Sequence, residues 1–95
     1  APIVSVIPFD TAKEAFGMVN DSPYGLSAGI FTHHMPTAME AVAAIKSGSV
    51  IVGGTCLFRM SNTPYGGVKD SGLGREGPKY AIEEMTDAKT VVLLV

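Results

Sequence analysis

The stretch Leu26-Ser27-Ala28-Gly29-Ile30-Phe31-Thr32-His33-His34-Met35-Pro36-Thr37-Ala38-Met39-Glu40-Ala41-Val42-Ala43-Ala44-Ile45-Lys46-Ser47-Gly48-Ser49-Val50-Ile51-Val52 decides how the chain folds. Leu26–Phe31 is short and apolar, as a strand is. Pro36 sits where a helix can start, because its missing N–H would be unpaired there anyway. Ala38, Ala41, Val42 and Ile45 then recur at i, i+3, i+4 and i+7, one apolar stripe of a helix. Gly48 supplies the stop, and Ser49–Val52 reads as a second strand of the fully buried type. Strand, helix, strand with short connections predicts a parallel pair crossed by a helix.

Working outward, Ile3-Val4-Ser5-Val6-Ile7 is another β-branched run, ended by Pro8. Asp10 and Thr11 offer N-cap oxygens, and Glu14 completes a capping-box pattern with Thr11. Ala12, Ala15, Phe16 and Val19 give a second helical stripe, stopped by Asn20-Asp21-Ser22-Pro23. The whole is an α/β chain: a partial parallel sheet with flanking helices. Past Val52 the grammar changes, because eight of the eleven glycines lie between Gly48 and Gly77. A structureless loop of that length, residues 53–77, is uncommon in a compact domain unless it is functional. Pro78–Met85 reads as a short helix and Val91–Val95 as a final strand. A strand so apolar is an aggregation hazard at a free edge, so it is expected to pair with another domain or subunit.

Composition bounds the rest. Apolar residues make up 46% of 95 residues and charged residues only 17%, too few to wet the surface of so small a domain. Part of the apolar surface is therefore expected to be covered by other subunits or by more of a longer polypeptide; a first residue that is Ala1 agrees equally with a fragment and with processing. A net charge of −2 with scattered lysines and arginines argues against nucleic acid. No apolar run reaches the length of a membrane span. One cysteine, Cys56, forms no internal disulfide, and a reducing, cytoplasmic setting is expected.

Gly72, Gly74 and Gly77 spell G-x-G-x-x-G, the dinucleotide fingerprint. What precedes them, Thr63-Pro64-Tyr65-Gly66-Gly67-Val68-Lys69-Asp70-Ser71, reads as a loop and not as the strand a phosphate cradle needs. Glu83, Glu84 and Asp87 follow too early to hold a ribose. The motif is set aside as a cofactor site.

Ala1–Val4, Asn20–Thr32, Ser47–Val50, Pro64–Glu76 and Thr86–Val91 together resemble, in order and spacing, the NAD(P)-dependent aldehyde dehydrogenase superfamily. The resemblance covers essentially the whole chain and is to the last fifth or so of such an enzyme. It implies residues 1–85 as the end of the catalytic domain, with a substrate-side loop over 53–77, and residues 86–95 as an oligomerisation strand containing Val91, Val92, Leu93, Leu94 and Val95. The run from Leu57-Phe58-Arg59-Met60 to Met85 is most similar to enzymes of small polar aldehydes such as lactaldehyde or phosphonoacetaldehyde. Family members oxidise aldehydes through a thiohemiacetal, hydride transfer and thioester hydrolysis. Their cysteine nucleophile, glutamate base, oxyanion-hole asparagine and nucleotide-binding sheet all lie upstream of this segment. The resemblance thus implies NAD or NADP in the complete enzyme and neither cofactor nor turnover for these 95 residues alone. The implied partners are the remainder of the dehydrogenase chain and identical subunits. Two departures stand out: Ala1 where the family has glycine, and Gly53 where it usually has asparagine.

Candidate residues follow. Cys56 lacks a helix start or base beside it, and a substrate-loop or buried thiol fits better than a nucleophile. His33 and His34 diverge as neighbours and read as an exposed turn, not a metal site. By resemblance, Phe58 and Tyr65 match aromatic positions of the aldehyde pocket; the competing reading is core packing. Arg59, if it points inward, grips a carboxylate or phosphonate bidentately; otherwise it is solvated surface. Gly66, Gly67, Gly72 and Gly74 are expected to allow positive φ and close backbone approach, Arg75-Glu76 to tie the loop down, and Glu83 and Glu84 to face solvent. The rival to a dehydrogenase segment is a non-catalytic association module pairing through Val91–Val95.

Overall fold

The computed structural model describes residues 1–95. Its frame is the segment that opened the sequence. Strand β2 (Ser27–Ile30) lies parallel to β3 (Ser49–Val52), Ser27 opposite Ser49 and Ile30 opposite Val52. Gly48 N–H donates to Gly25 O at one end of the pair and Gly53 N–H to Ile30 O at the other. Helix α2 (Met35–Ala44) makes the crossover and packs on β3 and on helix α1 (Ala12–Asn20). The contact is close because the facing side chains are small or flat: Ala38, Ala41 and Phe16 are the buried apolar residues of the chain.

The helix ends follow local chemistry. Thr11 caps α1, its Oγ1 accepting from Glu14 N–H at 3.2 Å, while Glu14 returns a carboxylate oxygen to Asp10 N–H at 2.9 Å. The reciprocal bond of the capping box therefore lands one residue before the cap. Helix α2 begins before Pro36. His34 is its N-cap: Nδ1 lies 2.8 Å from Thr37 Oγ1 and accepts from Thr37 N–H at 3.4 Å. The expected histidine turn is thus a helix cap. At the other end Ile45 is already extended, so Gly48 does not end the helix. Gly48 is there for space. A Cβ added to it would lie 1.6 Å from Gly66 O, where no side chain fits.

Three expectations are corrected, the first being Ile3–Ile7, which belongs to no strand and is exposed. Val91–Val95, expected to pair with another domain or subunit, is likewise unpaired and exposed within this chain. A strand is completed by a hydrogen-bonded neighbour, and none lies beside either run within this chain. The expected sheet is accordingly one parallel pair. The loop 53–77, expected to lack structure, contains β4 (Val68–Lys69), antiparallel to β1 (Tyr24–Gly25), and a bridge between Tyr65 and Glu76. Helix α3 (Pro78–Met85) follows, with Pro78 in its first turn as expected.

Candidate functional site

Past β3 the chain turns at Gly53, whose φ of 75° is the left-handed conformation that glycine and asparagine share. Glycine at this departure position keeps a turn that asparagine also tolerates. Turns at Thr55–Phe58 and Met60–Thr63 then bring Arg59 back over Tyr65. The Arg59 guanidinium carbon lies 3.6 Å from the Tyr65 ring centroid, a stacked cation–π contact. Both side-chain bonds of Arg59, to Cys56 O at 3.2 Å and Phe58 O at 3.1 Å, use Nη1. Nη2 and Nε keep their donors free, and that is the fork a planar anion requires.

Tyr65 is half-buried and held at its backbone, exchanging both N–H···O bonds with Glu76. Arg59, Met60, Thr63, Tyr65, Glu76 and Pro78 line an open hollow of about 480 Å³. Of the three candidate pocket residues, the structure brings Arg59 and Tyr65 together at this hollow. Phe58 is 60% exposed and does not line it, so in this chain it is not core. Cys56 is exposed, and Arg59 bonds its carbonyl, not its sulfur.

The floor behind Tyr65 is the glycine-rich run. Arg75 Nη1 donates to Gly67 O at 3.0 Å and to Gly74 O at 2.6 Å, and Arg75 N–H donates to Glu84 Oε1 at 2.9 Å. Arg75 ties the loop as expected. Glu84, exposed as expected, ties it as well through that bond from α3. Gly72 and Gly74 take positive φ, 135° and 73°, whereas Gly66 and Gly67 serve close approach.

The surroundings of Gly72–Gly77 differ from those of the dinucleotide fingerprint: β4 ends at Lys69 and a turn separates it from Gly72, the helix after Gly77 opens on a proline, and the Glu84 carboxylate sits where a Gly74 side chain would begin. A phosphate at Gly74 would meet that carboxylate. No group of three His, Cys, Asp or Glu stands in metal-binding geometry. No helix is long and apolar enough to cross a membrane.

Sequence reasoning missed Lys69 and Asn20. Lys69 Nζ donates to Asn20 O and Ser22 O, each at 2.9 Å. Asn20 donates from Nδ2 to Ala44 O at 2.8 Å and accepts at Oδ1 from Lys46 N–H at 2.7 Å. These bonds span 24 to 49 residues, beyond any local pattern.

The pattern of the aldehyde dehydrogenase family matches residues 1–91. The 3-sulfolactaldehyde dehydrogenase of Priestia megaterium is 49% identical over 92 residues, 97% of this chain and 19% of that protein. The lactaldehyde dehydrogenase of Methanococcus vannielii is 47% identical, over 97% of this chain and 20% of its own length. Among solved structures, the NAD+ complex of an aldehyde dehydrogenase from Bacillus cereus superposes with a TM-score of 0.87 at 37% identity, covering 95% of this chain and 18% of that one. The glyceraldehyde-3-phosphate dehydrogenase GapN of Methanocaldococcus jannaschii, complexed with NADP, gives 0.80 at 43% identity, covering 83% and 17%. The chain thus spans about a fifth of the length of the curated relatives it matches. On the family pattern and these identities, the chain belongs to the aldehyde dehydrogenase family.

Proposed function

We propose that this chain is the C-terminal, substrate-side part of an NAD(P)-dependent aldehyde dehydrogenase that oxidises small anionic aldehydes to carboxylic acids. The observation that carries this is Arg59. It is stacked on Tyr65, held through Nη1 by two carbonyls, and lines an open hollow as an exposed residue with the donors of Nη2 and Nε unused. A guanidinium so held is preorganised for a carboxylate, sulfonate or phosphonate tail. Relatives named for 3-sulfolactaldehyde and aspartate semialdehyde, aldehydes that carry an anionic group, support this class of substrate; lactaldehyde, for which another relative is named, shares the small polar frame without the charge.

In this reading Arg59 binds the tail, Tyr65 backs the guanidinium, and Phe58 closes the outer wall once the remaining part of the enzyme covers it. The wall excludes water from the aldehyde carbon. Nucleophile, base and nucleotide site belong to residues outside this chain, and NAD or NADP supplies the hydride acceptor there. Residues 1–85 complete the catalytic domain. Residues 86–95 carry the oligomerisation strand Val91–Val95, and the enzyme works in the cytoplasm as an oligomer.

The test is a purified dehydrogenase polypeptide carrying this segment, assayed for NADH or NADPH formation with 3-sulfolactaldehyde, lactaldehyde and propanal. Turnover with higher kcat/KM for the sulfonate than for propanal is expected. No nucleotide reduction with any of the three would contradict the reading.

A further inference from the structure

Lys69 has a backbone that does not suit it. Its φ of 56° makes it the one non-glycine residue of the chain in the left-handed region, where a side chain is disfavoured and glycine is not. What the side chain does there has to offset that. Its ammonium bonds the carbonyls of Asn20 and Ser22, where α1 ends. The last turn of α1 carries no basic residue of its own, so Lys69 places the cation that the negative end of the helix favours from a segment nearly fifty residues away.

The bonds around it make a clasp. Tyr24 faces Lys69 and Gly25 faces Val68 across the β1–β4 pair. Asp70 N–H donates to Pro23 O at 3.1 Å, and Gly25 N–H donates to Ser71 Oγ at 2.9 Å. Asn20 passes the connection on to the junction of α2 and β3 through Ala44 O and Lys46 N–H. On the other side, Tyr65 stands four residues before Lys69, braced by Glu76, with Gly67 O held by Arg75. Arg59 rests on the ring of Tyr65.

We infer that Lys69 is a positioning residue that sets the register of Tyr65, and through it of Arg59, on the strand–helix–strand frame. The inference rests on the proposed role of Arg59 in substrate binding. Lys69 touches neither the hollow nor any reacting group, so its effect is on placement alone. Small displacements of a binding group are enough to weaken substrate capture severely.

Three variants of a dehydrogenase carrying this segment test it. Lys69→Met keeps the stem and removes the charge, Lys69→Gly relieves the φ and removes the pin, and Lys69→Arg keeps a cation. In Met and Gly, KM for an anionic aldehyde is expected to rise about tenfold with kcat within about twofold, and Arg is expected to recover most of the loss. Hydrogen exchange of the amides from Tyr65 to Glu76 should quicken in Met and Gly while those of β2 and β3 hold. The glycine variant keeps a favourable backbone, so a KM effect there is not a folding defect. Unchanged KM in Met and Gly, or a raised KM without faster exchange in the loop, overturns the inference. A wild-type enzyme that oxidises no aldehyde sinks the proposed function instead, and unchanged loop exchange in Met would then show separately that Lys69 holds nothing.

Discussion

Gly48 shows how one missing atom sets the site. Its hydrogen faces Gly66 O at a distance that leaves no room for Cβ, so the α2–β3 junction and the glycine-rich run touch backbone to backbone. Gly48→Ala is expected to cost at least about 2 kcal/mol, since the clash is with main chain that cannot rotate away. Urea unfolding of the purified protein reads this directly, and an unchanged midpoint would show that the two segments separate freely. Cys56 gives the opposite prediction. Its thiol is exposed and the neighbouring arginine is engaged with carbonyls, so Cys56→Ser should leave acyl transfer in a dehydrogenase carrying this segment within about twofold of wild type. Loss of the acyl-enzyme burst would make Cys56 the nucleophile after all.

At the scale of elements, the helices were legible and the strands only partly so. Helix signals are local: the Thr11–Glu14 cap and the apolar stripes lie within a few residues and need no distant partner. The parallel pair was legible because the intervening helix announces a crossover. Ile3–Ile7 and Val91–Val95 look like strands by composition, yet pairing depends on a neighbour that composition does not supply. Strand β4 was missed for the converse reason. It is two residues long, sits among glycines, and exists because Tyr24–Gly25, over forty residues earlier, lies alongside. In the sequence Asn20 reads only as part of a helix stop. Its side chain closes the C-terminal turn of α2, donating to Ala44 O and accepting from Lys46 N–H. Asn20→Ala should destabilise by about 1–2 kcal/mol through the unpaired groups it leaves. Asn20→Asp should cost at least as much, because it keeps the acceptor but sets a carboxylate against a carbonyl. Thermal melting of both variants decides; a neutral Asp would assign the stabilisation to the Lys46 bond alone.

The whole molecule is too open to be its own core. Five of 95 residues are buried, and the radius of gyration is 17.9 Å, against about 12 Å for a compact chain of this length. The apolar composition agrees with this, and the exposed apolar positions include the terminal runs read as strands, with Val4 and Val6 at one end and Leu93 and Leu94 at the other, as well as helix and loop residues such as Met39, Leu57 and Leu73. An apolar groove of about 370 Å³ is lined by Phe9, Phe16, Val19, Ile30, Phe31 and Ile45. Such surface is stable only when covered. If Val91–Val95 pairs between subunits, removing those five residues from a dehydrogenase carrying this segment should convert oligomers to monomers in light scattering. An unchanged mass would place the subunit contact elsewhere.

The most direct test of the central claim, that Arg59 on Tyr65 reads an anionic tail, is the KM pair for Arg59→Ala in that enzyme. Removal of a charge-assisted fork should raise KM for 3-sulfolactaldehyde by about 10- to 100-fold and leave propanal within about twofold. Equal loss for both substrates, or none for the sulfonate, would contradict it.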